Sequence, residues 1–292
     1  MWIKELYLLM PIRENAPEAK LYVRIVAENK DSFNSKPYIF MLPGGPGANH
    51  SHYKAYECLN SIGNVVFFDP RGCGLSDKDI PTTYSMDNYI KDLEEIRKQL
   101  NLEQIILLGK SYGAMCALGY ALENSQYIAK LILAAGSPSY KNLDDAEAYI
   151  KTFGSKEQQL ICEKLWSGTF TSNEEVNDYF DKMDTVYSWK KRHNLPAQSS
   201  HADYPFAHEP LNQGFRGFLR TFNYEDRLSE VACPTLILVG EEDWITNKKH
   251  SIVMANKIPN SKLIILKNAD HSMELDAPEV FFKNIEFFLA TI

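Results

Sequence analysis

The sequence has few of the features that would stabilise or anchor a chain other than through a buried core. Its five cysteines, Cys58, Cys73, Cys116, Cys162 and Cys233, are odd in number and scattered, with no C-x-x-C pair. This argues against a disulfide framework or a zinc site and predicts reduced thiols in a cytoplasmic protein, with no metal and no cofactor. Cys73 lies between Gly72 and Gly74, where a small filler is the simplest reading and a reactive thiol the alternative. No apolar run approaches the length of a membrane span, so no membrane partner is expected. The first residues, Met1-Trp-Ile-Lys-Glu-Leu-Tyr-Leu-Leu-Met-Pro, carry charges inside a short apolar stretch and lack a small-residue cleavage site. They read as a first strand and not as a signal peptide. Lys and Arg total 31 against 38 Asp and Glu, for a net charge of −7. That balance argues against nucleic acid, whose phosphates require clustered basic side chains. There is no internal repeat and no low-complexity linker.

What is present is a regular alternation. Strand-like apolar runs at Leu21 to Ala27, Pro37 to Leu42, Asn64 to Phe68, Gln104 to Leu108, Lys130 to Ala134, Pro234 to Val239 and Lys262 to Leu266 alternate with helical patterns. Helices are expected at His50 to Ser61, Met86 to Leu100, Ala114 to Asn124, Lys248 to Lys257 and Pro278 to Ala290, with Asp87 able to cap the second. Strand and helix in alternation imply an α/β fold with a mostly parallel, doubly wound sheet. The exception is residues 142–224, which carry no convincing strand but have helix-like acidic and aromatic stretches. They read as a helical lid inserted before the strand at Pro234, leaving 1–141 and 225–292 as the core. Among the lid aromatics Tyr187, Trp189, Tyr204, Phe206, Phe215, Phe218 and Phe222, most should be lid core, with one or two lining a substrate pocket. Glu174, Glu175 and Asp178 read as a solvated helix face.

The segment richest in chemistry is Gly109-Lys110-Ser111-Tyr112-Gly113, placed between a buried-strand run and a helix with Met115, Leu118 and Leu122 on one face. This is the context of a nucleophile elbow, in which a strained serine presents its hydroxyl above the sheet and the glycines avoid clashes. A serine needs a base, and the base needs an orienting acid. After Pro234-Thr-Leu-Ile-Leu-Val239 comes Gly240-Glu241-Glu242-Asp243, and after Lys262-Leu-Ile-Ile-Leu266 comes Lys-Asn-Ala-Asp270-His271-Ser272. In a parallel sheet these C-terminal ends share one rim. The expected set is Ser111 as nucleophile, His271 as base and Asp243 as acid, with Glu242 as the alternative acid. An oxyanion hole needs two N–H donors. Tyr112, directly after the serine, should supply one, and Gly45 in the rigid Pro43-Gly44-Gly45-Pro46-Gly47 loop the other.

Gly44-Gly45-Pro46-Gly47, Asp69-Pro70-Arg71-Gly72-Cys73-Gly74-Leu75-Ser76 and the elbow, in that order, resemble the motifs of the proline iminopeptidases, α/β-hydrolases that remove N-terminal residues, typically proline, from short peptides. The resemblance implies an α/β-hydrolase fold with a helical lid, bracing roles for Asp69 and Arg71, and a small peptide or ester substrate. It also implies carboxylates that anchor the substrate's α-ammonium, one in the lid and one beside the catalytic acid. The chain departs from the family pattern at four positions. Pro43 stands where a histidine is usual, so that residue's contact is missing or falls to His50 or His52. Lys110 stands where an acid is common. Trp244 follows Asp243, and Asn212 lies near the lid position, with Glu209 a few residues away. Gly44, Glu209 and Trp244 are therefore the expected substrate-contacting positions, and an esterase with the same triad is the alternative function.

Overall fold

The apolar runs assemble into one eight-stranded sheet in the order β1-β2-β4-β3-β5-β6-β7-β8. A computed structural model describes residues 1–197 and 202–290. The strands are β1 Trp2–Met10, β2 Ala19–Ala27, β3 Tyr38–Leu42, β4 Asn64–Phe68, β5 Ile105–Lys110, β6 Ile128–Ala134, β7 Thr235–Gly240 and β8 Ser261–Leu266. The pairs β1/β2 and β2/β4 are antiparallel, and every pair from β4 through β8 is parallel. Central strands β4, β5 and β7 are buried along their whole length, whereas the edge strand β1 is mostly exposed. Burial on both faces requires helices on both faces, and the side chains divide accordingly with period two. In β5, Leu107 joins a cluster with Leu93, Leu118 and Leu131, while Ile106 and Leu108 join one with Tyr56, Phe281 and Ile285.

The helices Tyr112–Asn124, Lys248–Lys257 and Pro278–Ala290 fall where the apolar spacing puts them, with the first beginning two residues earlier than expected. Helix Met86–Gln99 is capped by Ser85, whose hydroxyl accepts from Asn88 N at 3.1 Å. Asp87 is thus corrected from cap to first-turn residue, paired with Lys91 at 2.7 Å. The helix expected at His50–Ser61 is present as a 3₁₀ run, broken at Tyr53 (φ −118, ψ 21). The break falls where the Tyr53 hydroxyl accepts the Gly44 N–H at 2.8 Å, tying this segment to the loop after β3. Between β6 and β7 the described residues form helices, among them Lys141–Phe153, Lys156–Ser167, Asn173–Tyr187 and His208–Arg216, and add no strand to the sheet. No helix among the described residues is long and apolar enough to cross a membrane.

Candidate active site

The shared direction of β3 and β5 through β8 brings the loops at their C-terminal ends to one rim. β5 runs through Gly109 and Lys110 into Ser111, which has φ 56 and ψ −120, and the helix starts at the next residue. This conformation is costly for a residue with a side chain and persists only where its surroundings enforce it. Here the Ser111 N–H is held by Ala134 O at 2.8 Å. The two flanking glycines are sterically required. A Cβ on Gly109 would come within 2.3 Å of Gly113 O, and one on Gly113 within 2.1 Å of Leu42 O.

Asp243, in the turn after β7, is buried and places Oδ2 2.9 Å from His271 Nδ1. Its other contacts are the N–H groups of Ile245 and Thr246 on Oδ1, at 3.0 and 2.9 Å, and the Thr246 hydroxyl on Oδ2, at 2.8 Å. Burial alone would raise the Asp243 carboxyl, but the His271 charge and these hydrogen bonds bring it below the usual range. An ionised Asp243 accepts from Nδ1–H and leaves Nε2 of His271 as the basic nitrogen. Glu242, the alternative acid, is exposed and engaged elsewhere, by Trp189 Nε1 at 3.0 Å and Arg192 Nη2 at 2.7 Å. Ser111 and His271 face one cavity of about 800 Å³, with no direct hydrogen bond between them among the described residues. Gly45 lines the same cavity beside Ser111. The Tyr112 N–H is at the first helical position, which has no intrahelical acceptor. The Gly44 N–H, by contrast, is already given to Tyr53.

All three of the expected substrate contacts lie off this cavity. Trp244 is 1% exposed and packs between Tyr149 and Tyr187, so Ile245 reaches the cavity in its place. Glu209 is exposed in the first turn of helix His208–Arg216 and does not line the cavity. Gly44 does not line the cavity either, although a Cβ there would touch Ser111 Cβ at 3.1 Å. Asn212 is consumed in a two-way clasp with the backbone of Phe170, accepting from its N at 3.1 Å and donating to its O at 2.7 Å. Among the aromatics, Tyr187, Tyr204, Phe206 and Phe215 line the cavity, together with Tyr179 and Phe180.

Of the two histidines near the glycine loop, His50 is paired with Asp69 at 2.9 Å, and His52 lines the cavity. His52 Nδ1 accepts from Asn49 N at 3.3 Å, which leaves its proton on Nε2. Burial lowers its pKa to about 4, so it is a neutral donor at physiological pH. Asp69 also takes the N–H groups of His50 and Leu75, at 2.7 and 2.8 Å. Arg71 is held by Asp92 and Asp79, so the pair braces the rim without entering the cavity. Cys73 is 1% exposed, and burial pushes its thiol far up, which leaves it inert.

Asp270, whose role no sequence motif signals, directly precedes His271 and accepts its N–H at 3.1 Å. It is fully buried, donates its backbone N–H to Asp276 at 2.9 Å, and lies 2.8 Å from Arg192 Nη2 without hydrogen-bond alignment. Burial first, and the neighbouring Asp243 charge second, push its pKa from 3.8 up to about 8, against the opposing pull of Arg192. Between those pH values the folded protein keeps a proton that the unfolded chain has lost. The associated stability is therefore complete below about pH 4 and disappears as pH rises through about 8. Asp270→Asn should accordingly lose less thermal stability than wild type between about pH 5 and pH 8, measured as Tm across a pH series. Parallel curves would mean that Asp270 is ionised throughout. Asp276, on the same loop, accepts from Ser188 Oγ, Trp189 N and Lys190 N, pinning the helical segment between β6 and β7 to the His271 loop.

The family model for the alpha/beta hydrolase fold matches residues 37–278. Curated relatives include a proline iminopeptidase of Saccharolobus solfataricus, 28% identical over 284 residues that cover 92% of this chain and 87% of the relative. Another, from Clostridioides difficile, is 28% identical and covers 90% of this chain and 92% of the relative. Among solved structures, an alpha/beta fold family hydrolase from Bacillus anthracis superposes with a TM-score of 0.78 at 19% identity, over 97% of this chain and 99% of the other. The Mycobacterium smegmatis proline iminopeptidase gives a TM-score of 0.72 at 18% identity, covering 97% of each chain. With the strained elbow serine, the His271–Asp243 contact and a matching family model over most of its length, the chain belongs to the α/β-hydrolase fold family.

Proposed function

We propose that this protein is a serine hydrolase that acts as an aminopeptidase, releasing N-terminal proline or another small residue from short peptides. The observation that carries the proposal is the 2.9 Å contact from His271 Nδ1 to Asp243 Oδ2, in a cavity that also receives Ser111 from a strained elbow. On this reading Ser111 Oγ attacks the carbonyl of the N-terminal residue while His271 Nε2 takes its proton, and Asp243 stabilises the imidazolium that forms. The developing oxyanion is held by the N–H groups of Gly45 and Tyr112. His271 then protonates the leaving amine, and water, deprotonated by the same imidazole, hydrolyses the acyl-enzyme. No metal or cofactor takes part in these steps. Residues 142–224 serve as the lid over a core of 1–141 and 225–292, with their aromatic side chains lowering the polarity around the reacting groups while the hydrolytic water is still admitted. The five thiols, none paired, suit a reducing cytoplasmic setting.

A second reading, a carboxylesterase with the same triad, is favoured by one specific observation. Each carboxylate lining the cavity among the described residues, Asp184, Asp203 and Glu274, already has a lysine partner. The discriminating experiment compares kcat/KM for prolyl and alanyl arylamides with that for p-nitrophenyl esters of short acids. Arylamide turnover that disappears on N-acetylation supports the aminopeptidase. Ester turnover with no arylamide turnover sinks it in favour of the esterase.

A further inference from the structure

An aminopeptidase must hold a desolvated α-ammonium close to its nucleophile, and an unpaired buried charge is expensive. The two carboxylate positions expected from sequence cannot do this, since Glu209 is exposed off the cavity and the residue after Asp243 is the buried Trp244. Among the described residues, three carboxylates do line the cavity, each paired with a lysine. Asp203 with Lys54 and Asp184 with Lys191 are largely solvated, their carboxylates 57% and 46% exposed. Glu274 with Lys110 is different, at 15% and 5%. Lys110 Nζ reaches both Glu274 oxygens, at 3.0 and 2.9 Å.

From this arrangement, and resting on the aminopeptidase reading above, we infer that Glu274 is the specificity-determining anchor for the substrate's α-ammonium, with Lys110 as the residue that positions it. The pair is attached to both halves of the catalytic set, because Lys110 immediately precedes Ser111 and Glu274 follows His271 by three residues, in the short helix Met273–Asp276. Both side chains line the cavity, and the carboxylate is the more exposed of the two, at 15% against 5% for Lys110. A carboxylate has about four lone-pair sites, and a single lysine leaves acceptor capacity for a second ammonium. Lys110 also supplies the countercharge without which a half-buried carboxylate would be costly. The basic residue at the position before the nucleophile thus acts through Glu274, and the ligand class it selects is a cationic amine next to the scissile carbonyl.

The test uses the full-length protein and two probes that share the triad but differ in charge: prolyl p-nitroanilide, with a free ammonium, and p-nitrophenyl acetate, with none. Glu274→Gln should lower the ratio of kcat/KM for the anilide to that for the ester by about tenfold or more, chiefly through KM, the scale of a lost charge-assisted hydrogen bond. Glu274→Asp keeps the charge but withdraws it by one methylene, and should lower the ratio less; it covers the case in which the glutamine variant does not fold. Competitive inhibition of ester turnover by prolinamide should weaken in parallel. A ratio unmoved by Glu274→Gln in an enzyme that does cleave the anilide overturns this inference alone, as does a fall seen only in Asp184→Asn or Asp203→Asn. An equal loss with both probes shows a structural role and also overturns it. A wild-type protein that cleaves the ester and never the anilide removes the aminopeptidase reading, and this inference with it.

Discussion

Ser111→Ala abolishes hydrolysis of every substrate the wild-type protein accepts, while leaving the fold intact. The covalent route needs the hydroxyl, and removal of a triad nucleophile costs about 10⁴ or more in kcat. The fold should survive because Ser111 is held through its backbone, by the Ala134 carbonyl and by the close packing of Gly109 and Gly113, and not through its side chain. Alanine must adopt the same positive φ that serine already tolerates, so the local strain is not new. The check is steady-state kinetics together with a fluorophosphonate probe, which should label wild type at Ser111 and leave the variant unlabelled. Residual activity within about a hundredfold of wild type, or labelling at another residue, would show that the nucleophile lies elsewhere.

The second large effect belongs to Asp243→Asn. Asparagine is nearly isosteric and can still meet Thr246 and Ile245, so expression and Tm should change little. Its amide presents a donor or a neutral acceptor to His271 Nδ1, so the imidazole loses both its tautomer control and the negative charge that stabilises the imidazolium. A fall of about 10⁴ in kcat is expected, with KM little affected. Glu242→Gln is the contrasting variant. Its carboxylate is exposed and bound to Trp189 and Arg192, so its loss should leave kcat within a few-fold of wild type. If the two variants behave the other way round, the orienting acid is Glu242.

Much of the framework was legible in sequence because it rests on short-range rules. The runs that become β4, β5 and β7 are apolar without alternation, as strands covered on both faces must be, and the serine with a glycine two residues to either side announces the elbow. The 3₁₀ form of His50–Ser61 is not legible in sequence, because its break falls where the Tyr53 hydroxyl accepts a hydrogen bond from the Gly44 N–H across a loop. For Asp87 the reason is smaller: Ser85, two positions earlier, offers the same capping chemistry and is the residue just outside the helix.

The site divides in the same way. The order of Ser111, Asp243 and His271 at successive strand ends is a property of the chain, and parallel pairing is enough to bring those ends to one rim. Which of three adjacent acids would meet the imidazole was a matter of tertiary structure, because the turn after β7 directs Asp243 inward and Glu242 outward. The same holds for the substrate side. Glu209 and Trp244 stand out only by their place in the sequence, yet a side chain's access to a cavity depends on helix rotation and on what packs above it. Lys110 and Glu274 lie 164 positions apart and meet only when the loops after β5 and β8 close around one cavity. Sequence by itself determined the sheet, the elbow and the rim, whose causes are local sterics and hydrophobic periodicity. Only the folded chain decided which charges face the substrate, because that depends on distances between segments no local rule relates.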